Sequence, residues 1–140
     1  MKAAGKLEGA VSARLDHTIV HSSDRFASAR FLTGLLGEPE PGEFGPFATV
    51  RLANGVTIDY ADSIVDRNRI VMQHLAFLVS EDEFDEIFAR IAERGLPYWG
   101  GPHHQEPQQI NHRHHGRGVY VDDPDGHSIE FITHPYVKEE

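Results

Sequence analysis

The sequence predicts an α+β domain made of two copies of one unit, in which a strand precedes a helix and further strands follow it. Two observations support this prediction. Segments 15–20 and 50–60 align without gaps with segments 72–77 and 121–131, and histidine, glycine and carboxylate residues occupy matching positions. In addition, each copy contains one run of apolar residues at helical spacing between segments that favour strands.

The first copy begins with an alternating segment, 15–21, which predicts a strand. The next segment starts with two serines and an aspartate that can cap a helix, has apolar residues at helical spacing, and ends at Gly37. The Asn-Gly dipeptide at 54–55 favours a type I′ turn. Residues 47–52 and 56–60 are therefore expected to pair as a hairpin.

The second copy repeats this order. Residues 71–79 predict a strand, and a capping box at 80–83 begins an amphipathic helix that ends at Gly95. An Asp-Pro-Asp-Gly turn separates two further predicted strands, 119–122 and 128–133.

The two copies differ in length by 14 residues, since 57 positions separate the matching histidines and 71 separate the matching carboxylates. The extra residues lie between Gly95 and Val119, where five histidines fall within 103–115. Insertions of this length often have a functional role. The sequence leaves open whether four of these histidines form a lid over a site or an exposed loop: His103, His104, His114 and His115.

Composition limits the classes of function. The chain has 140 residues, enough for one domain, and 22 acidic against 13 basic residues, which disfavours binding to nucleic acid. It has no cysteine, so any metal would have nitrogen and oxygen ligands. No apolar run is long enough for a membrane helix, and we expect a cytoplasmic protein without a membrane partner. Residues 1–14 are expected to be a flexible extension.

Four residues at repeat-related positions suggest a metal site. Each copy contributes one histidine and one carboxylate, and the strand alternation places all four on the face opposite the apolar core. Imidazole and carboxylate groups together can bind a divalent metal. The four residues are His17, Asp59, His74 and Glu130.

These features resemble the vicinal oxygen chelate superfamily, which includes glyoxalase I, type I extradiol dioxygenases, methylmalonyl-CoA epimerase, and fosfomycin- and bleomycin-resistance proteins. The resemblance covers residues 15–136. It implies a single domain of two βαβββ modules, about 15–66 and 71–136, which form a half-open barrel around a metal-binding cup. It also implies a small-molecule substrate and a homodimer.

The resemblance assigns roles to individual residues. His17, His74 and Glu130 match the metal ligands of the family. Asp59 matches a fourth ligand of glyoxalase-type members, although its side chain is one methylene shorter than the usual glutamate. Fe(II) is the favoured metal, and Zn, Ni, Co and Mn are alternatives.

The C-terminal part resembles the signature of extradiol dioxygenases. An Ile-Asn-His triplet at 110–112 is followed by Val119-Tyr120, the Asp-Pro-Asp-Gly turn and Glu130. In that family the histidine contacts oxygen or substrate and the tyrosine contacts a substrate hydroxyl, and the resemblance implies these roles for His112 and Tyr120. The family's additional acid–base histidine is absent from its usual place, and His21 is a candidate to replace it.

Three functions are consistent with these residues. The first is an Fe(II)-dependent dioxygenase-like enzyme that cleaves or oxidises a vicinal diol or catechol-type substrate. The second is a glyoxalase-like lyase or isomerase that uses Zn, Ni or Co with Asp59 as a fourth ligand. The third is a metal-free protein that binds a small molecule such as an antibiotic.

Overall fold

The computed structural model describes residues 7–138, which form two α-helices and two β-sheets. In chain order the elements are β1 (His17–His21), α1 (Arg25–Leu36), β2 (Gly42–Phe44), β3 (Phe47–Arg51), β4 (Thr57–Ala61), β5 (His74–Leu78), α2 (Glu81–Glu93), β6 (Gly118–Asp122) and β7 (Ser128–Ile132). Short 3₁₀ turns lie at Arg67–Arg69 and Arg113–His115.

The sheet topology confirms the repeated α+β unit. Strands in the first sheet are ordered β1-β4-β3-β2, and those in the second are ordered β5-β7-β6. The first strand of each module pairs in parallel with the last, and the remaining pairs are antiparallel. The first module is a complete βαβββ unit. In the second module, the strand expected between α2 and β6 is reduced to single bridges that Trp99 makes with Pro107 and Tyr120.

Both helices begin and end where the sequence predicts. The Asp24 side chain accepts a hydrogen bond from the Ala27 N–H at the start of α1, and Gly37 ends that helix in the left-handed conformation, with φ of 72°. The capping box of α2 is formed in full by Ser80 and Glu83. Hydrogen bonds from Ser80 hold the pKa of Glu83 below its usual range.

One apolar core joins the helices to one face of each sheet. Side chains from β1, β3 and β4 pack with those from β5, β6 and β7 and with the apolar faces of both helices. The five strand residues that the alternation assigned to the core are all buried: Val20, Ile58, Phe77, Ile129 and Phe131. The opposite faces of the two sheets are therefore left to carry the polar residues of a site.

The turn before β7 joins the two modules. His127 is fully buried, its Nε2–H donates to the His21 carbonyl at 2.6 Å, and its Nδ1 accepts from the Gln73 N–H at 2.9 Å. The Asp125 carboxylate accepts a hydrogen bond from the Ser23 N–H at 3.0 Å. β5 starts at His74 and not at residue 71. The Gln73 side chain bonds to the first module and its N–H donates to His127, so only its carbonyl joins the sheet, where it accepts from the Ser128 N–H.

Residues 7–14 precede β1 without forming a helix or strand, and residues 1–6 of the expected extension lie outside the part of the chain that is described. The two helices, of 12 and 13 residues, are the longest of the described chain, and neither is long and apolar enough to cross a bilayer.

Candidate functional site

The predicted ligands lie on the faces of the sheets that the helices leave uncovered. His17 and Asp59 share one face of the first sheet, because Ile19, two residues from His17, pairs with Asp59. His74 and Glu130 share one face of the second sheet through the equivalent pairing of Ala76. We call these faces the first cup and the second cup.

The two cups remain separate within one chain. Across residues 7–138, no three histidine, aspartate or glutamate side chains are close enough together to hold one metal ion. The sequence predicted one surface for all four candidates. In the structure, His17 and Asp59 lie on the first sheet, and His74 and Glu130 lie on the second.

In the second cup, His74 and Glu130 are in direct contact. The Nε2 atom of His74 lies 3.1 Å from Oε1 of Glu130, and its Nδ1 lies 3.1 Å from the Ser128 carbonyl, to which it donates. The Glu130 residue is only 1% exposed, whereas His74 is open to solvent. The pair therefore presents one imidazole nitrogen and one carboxylate oxygen side by side.

This pair fits a divalent metal. Two ligand atoms that are each about 2.1 Å from a metal and at right angles to each other are about 3 Å apart, close to the spacing of the two atoms here. Metal-binding histidines commonly donate their other ring N–H to a carbonyl or carboxylate. His74 does so to Ser128, and the ring of His17 has a similar contact, with Nδ1 2.7 Å from Oδ2 of Asp16.

Two tyrosines surround the buried carboxylate. The Tyr136 hydroxyl donates to Oε2 of Glu130 at 2.5 Å and lies 3.1 Å from the Tyr120 hydroxyl. The Tyr120 ring stacks on His74, with ring centres 5.9 Å apart. Burial, with the Glu130 charge nearby, raises the pKa of both phenols. Both hydroxyls are therefore protonated at neutral pH.

Sequence reasoning identified Tyr120 and missed Tyr136. Tyr136 lies four residues beyond β7, in a segment with no periodicity, and it reaches Glu130 because the chain turns back over the second cup. The only signal in the sequence is an aromatic residue shortly after the predicted ligand strand, which is too common to indicate a site.

The first cup is a cavity of about 530 Å³. His17 is exposed at its edge, and the hydrogen bond to Asp16 raises the pKa of His17, to which the Asp59 charge adds. Asp59 is only 7% exposed, and within the described chain its Oδ1 has no hydrogen-bond partner. Further lining residues of the cavity are Phe44, Phe47, Thr49, Arg51 and Thr57.

His21, the candidate acid–base residue, lies on the same face as His17 and is half-buried. Its backbone is held by Gln73 and His127, and its ring Nδ1 is buried without a hydrogen-bond partner among residues 7–138. The backbone of His21 is therefore held in place while its ring Nδ1 has no described partner, and its acid–base role stays a prediction.

The histidine-rich insertion folds against the second cup. The Asn111 amide and the Arg113 guanidinium both donate to the Gly100 carbonyl, which closes the segment on itself. The His104 ring stacks on Trp99 with ring centres 4.0 Å apart, and its Nε2 lies 2.7 Å from a carboxylate oxygen of Asp122. Six non-glycine residues of the insertion have positive φ: His103, His104, Glu106, Gln108, His114 and His115.

In the part of the chain that is described, the structure shows no hydrogen bond between His112 and the residues of either cup. His112 is exposed at the start of the 3₁₀ turn, and no hydrogen bond of its ring occurs among the described residues. His114, two residues later, stacks instead on Tyr136, with ring centres 4.1 Å apart. The catalytic role of His112 therefore remains a prediction from the resemblance alone.

Comparison with known proteins identifies the family. Residues 14–131 match the model of the Glyoxalase/Bleomycin resistance protein/Dioxygenase superfamily. The chain belongs to this superfamily. This match confirms the predicted resemblance to the vicinal oxygen chelate group. The fold class is confirmed by a glyoxalase/dioxygenase from Nostoc punctiforme, which is 22% identical with a TM-score of 0.63. It shows the same fold over 96% of this chain and 99% of its own.

Two superfamily members of known structure are much more similar. Oxidase ChaP-H1 is 50% identical with a TM-score of 0.85, and the match covers 91% of this chain and all of that one. Oxidase ChaP-H2 is 51% identical with a TM-score of 0.82, over 90% of this chain and 97% of that one. Metallothiol transferase FosB from Lysinibacillus sphaericus (strain C3-41) is 33% identical over 60 residues, which span 43% of this chain and only 38% of that protein.

Proposed function

We propose that this superfamily member is a metal-dependent oxidoreductase that oxidises or cleaves a small vicinal diol or catechol-type substrate, with Fe(II) as the favoured metal. The observation that carries the proposal is the His74–Glu130 pair, whose ligand atoms lie 3.1 Å apart with the histidine already oriented by Ser128. Two oxidases about half identical to this chain support oxidation over other reactions of the superfamily.

The third ligand, in this proposal, comes from a second copy of the chain. One chain keeps His17 in the first cup, away from His74 and Glu130 in the second cup. A homodimer in which the first cup of one copy faces the second cup of the other would complete a site of two histidines and one carboxylate. Fe(II) in such a site supplies open coordination positions for a chelating diol and redox chemistry with dioxygen.

The residues around the cups would bind the substrate and move its protons. Asp59 has a free carboxylate oxygen in the first cup and is placed to accept a proton from a substrate hydroxyl. Arg51 in the same cavity would attract an anionic group, and Phe47 would pack against a ring. Because Tyr136 donates to Glu130, the Tyr120 hydroxyl donates to Tyr136, and it would accept a hydrogen bond from a substrate hydroxyl on the opposite side. His21 and His112 are the remaining candidates for proton transfer.

Mixing two defective variants tests the shared site. In a dimer with shared ligands, H17A and E130Q each damage every site alone, but a mixed dimer regains one intact site. After unfolding and refolding of an equal mixture, about one quarter of the sites should be intact and bind Fe(II). A metal content no higher in the mixture than in either variant alone would contradict the shared site. H103A, which changes an exposed histidine of the insertion, is the matched control.

Oxygen uptake tests the reaction itself. Protein loaded anaerobically with Fe(II) should consume oxygen when a matching catechol is added, and D59N should slow this reaction while the bound iron is retained. Failure of iron-replete wild-type protein to consume oxygen with every member of a broad catechol panel would count against the proposal.

The unpartnered Oδ1 of Asp59 also supports a second candidate function. As a fourth ligand beside His17, Asp59 would favour Zn, Ni or Co and a lyase or isomerase reaction, in which the metal polarises a carbonyl. X-ray absorption of the metal-loaded protein separates the two functions. Loss of one oxygen ligand in D59N indicates the lyase-type site, and an unchanged ligand number indicates the oxidoreductase.

A further inference from the structure

We propose that Tyr136 is a positioning residue of the metal site and that His114 holds it over Glu130, so that Glu130 binds the metal through Oε1 alone. The inference rests on the proposed function, in which Glu130 is a metal ligand. It adds a residue from the C-terminal segment and one from the insertion to the site.

The hydrogen bonds of Glu130 separate the roles of its two oxygens. Oε2 accepts the 2.5 Å hydrogen bond from the Tyr136 hydroxyl, and Oε1 faces Nε2 of His74. A hydrogen bond to a charged carboxylate is strong and directional. The hydrogen bond from Tyr136 occupies one lone pair of Oε2, while Oε1 lies beside the histidine nitrogen, and this arrangement favours single-oxygen ligation.

The same hydroxyl connects the ligand to the substrate side of the cup. It lies 3.1 Å from the Tyr120 hydroxyl, and the Tyr120 ring is stacked on His74. Tyr136 therefore holds the positions of Glu130 and Tyr120 together, although it contributes no ligand atom itself.

His114 fixes the C-terminal segment in this position by two contacts. Its ring lies on the Tyr136 ring with an interplanar angle of 18°, and its Nδ1 accepts a hydrogen bond from the Val137 N–H at 3.0 Å. His114 has φ of 57°, a conformation that a non-glycine residue keeps only where surrounding contacts hold it. The neighbouring His115 contacts His134 edge-on and not Tyr136, so the two histidines differ in their contacts.

Metal affinity and the Co(II) spectrum test the positioning role. Loss of a hydrogen bond that orients a ligand commonly weakens metal binding about 10- to 100-fold, and we expect this for Y136F in Co(II) titrations against a competing chelator. The visible ligand-field bands of bound Co(II) should shift as well, because Glu130 can then use both oxygens. Y98F, which removes a hydroxyl from a ring packed on Phe88, is the matched control and should match wild type.

Hydrogen exchange of the metal-free protein tests the role of His114. H114A should speed exchange at the Val137 amide at least about tenfold and weaken Co(II) binding less than Y136F does, since the Tyr136 hydroxyl itself remains. H114F, which keeps a ring for stacking, should recover part of the affinity, and H115A should behave as wild type. Equal exchange in H114A and wild type would overturn the role of His114.

The outcomes distinguish this inference from the function on which it rests. Wild-type protein that binds no Co(II), Fe(II) or Zn(II) would overturn the proposed function and the positioning role together. Wild-type protein that binds metal and loses it in E130Q, but keeps the same affinity and spectrum in Y136F, would overturn the positioning role alone.

Discussion

Replacing His127 with alanine should destabilise the whole domain, because this buried ring is one of the hydrogen-bonded links between the two modules. The substitution removes a fully buried side chain and leaves the His21 carbonyl and the Gln73 N–H without partners. Each unsatisfied buried group costs about 1–3 kcal/mol. Both backbone groups belong to half-buried residues that water can partly reach, so we expect a combined loss of about 2–4 kcal/mol.

Urea unfolding at a fixed protein concentration measures this loss. Domains of this kind have unfolding free energies of about 5–15 kcal/mol and urea m-values of about 1–3 kcal/mol/M, so the H127A midpoint should fall by about 1–2 M. H103A removes an exposed histidine of the insertion and should leave the midpoint unchanged. A loss below about 0.5 kcal/mol in H127A would refute the reasoning that this ring holds the modules together.

Two further stability predictions concern the helix starts. Burial alone would raise the pKa of Asp125, but the hydrogen bonds from Ser23 outweigh this effect and hold the pKa below its usual range. The ionised carboxylate therefore stabilises the fold above about pH 4. This contribution is lost as the pH falls through the lower pKa of the folded state. D125N should therefore cost about 1 kcal/mol at pH 7 and less at pH 2.5 in urea unfolding, and a loss independent of pH would argue against an ionised contact. S80A removes the capping box of α2 and should lower the free energy of unfolding by about 1 kcal/mol, measured by thermal unfolding. S63A, in an exposed bend, is the control and should leave the stability unchanged. Equal losses of stability in the two variants would rule out a specific cap.

Much of the fold was predictable because its signals are local. Helix caps depend on residues within one turn, as Asp24 and Ser80 show, and the alternation of strand residues identifies the core face without any tertiary information. The short strand β2, whose three residues are exposed, was not predicted, because it has no apolar alternation. In the second module, the insertion reduces the corresponding strand to the bridges at Trp99.

The candidate site was predictable only in part. The repeat identified His74 and Glu130, and pairing of β5 with β7 does bring their side chains within 3.1 Å. The contact of Tyr136 with Glu130 joins residues only six positions apart, yet it depends on a turn of the chain for which the sequence contains no periodic signal. The stacking of His114 on Tyr136 joins segments 22 residues apart and was equally invisible.

The sequence by itself determined which residue types face the two cups, because side chains alternate along a strand whatever the strand packs against. It also determined the repeated unit and the insertion, through residues that match between the two copies, and the helix boundaries, through capping residues. Only the tertiary structure decided that one chain keeps its two cups apart, that His127 joins the modules, and that Tyr136 and not His112 contacts the Glu130 carboxylate. Those outcomes depend on how distant segments pack together, which periodicity and spacing do not encode.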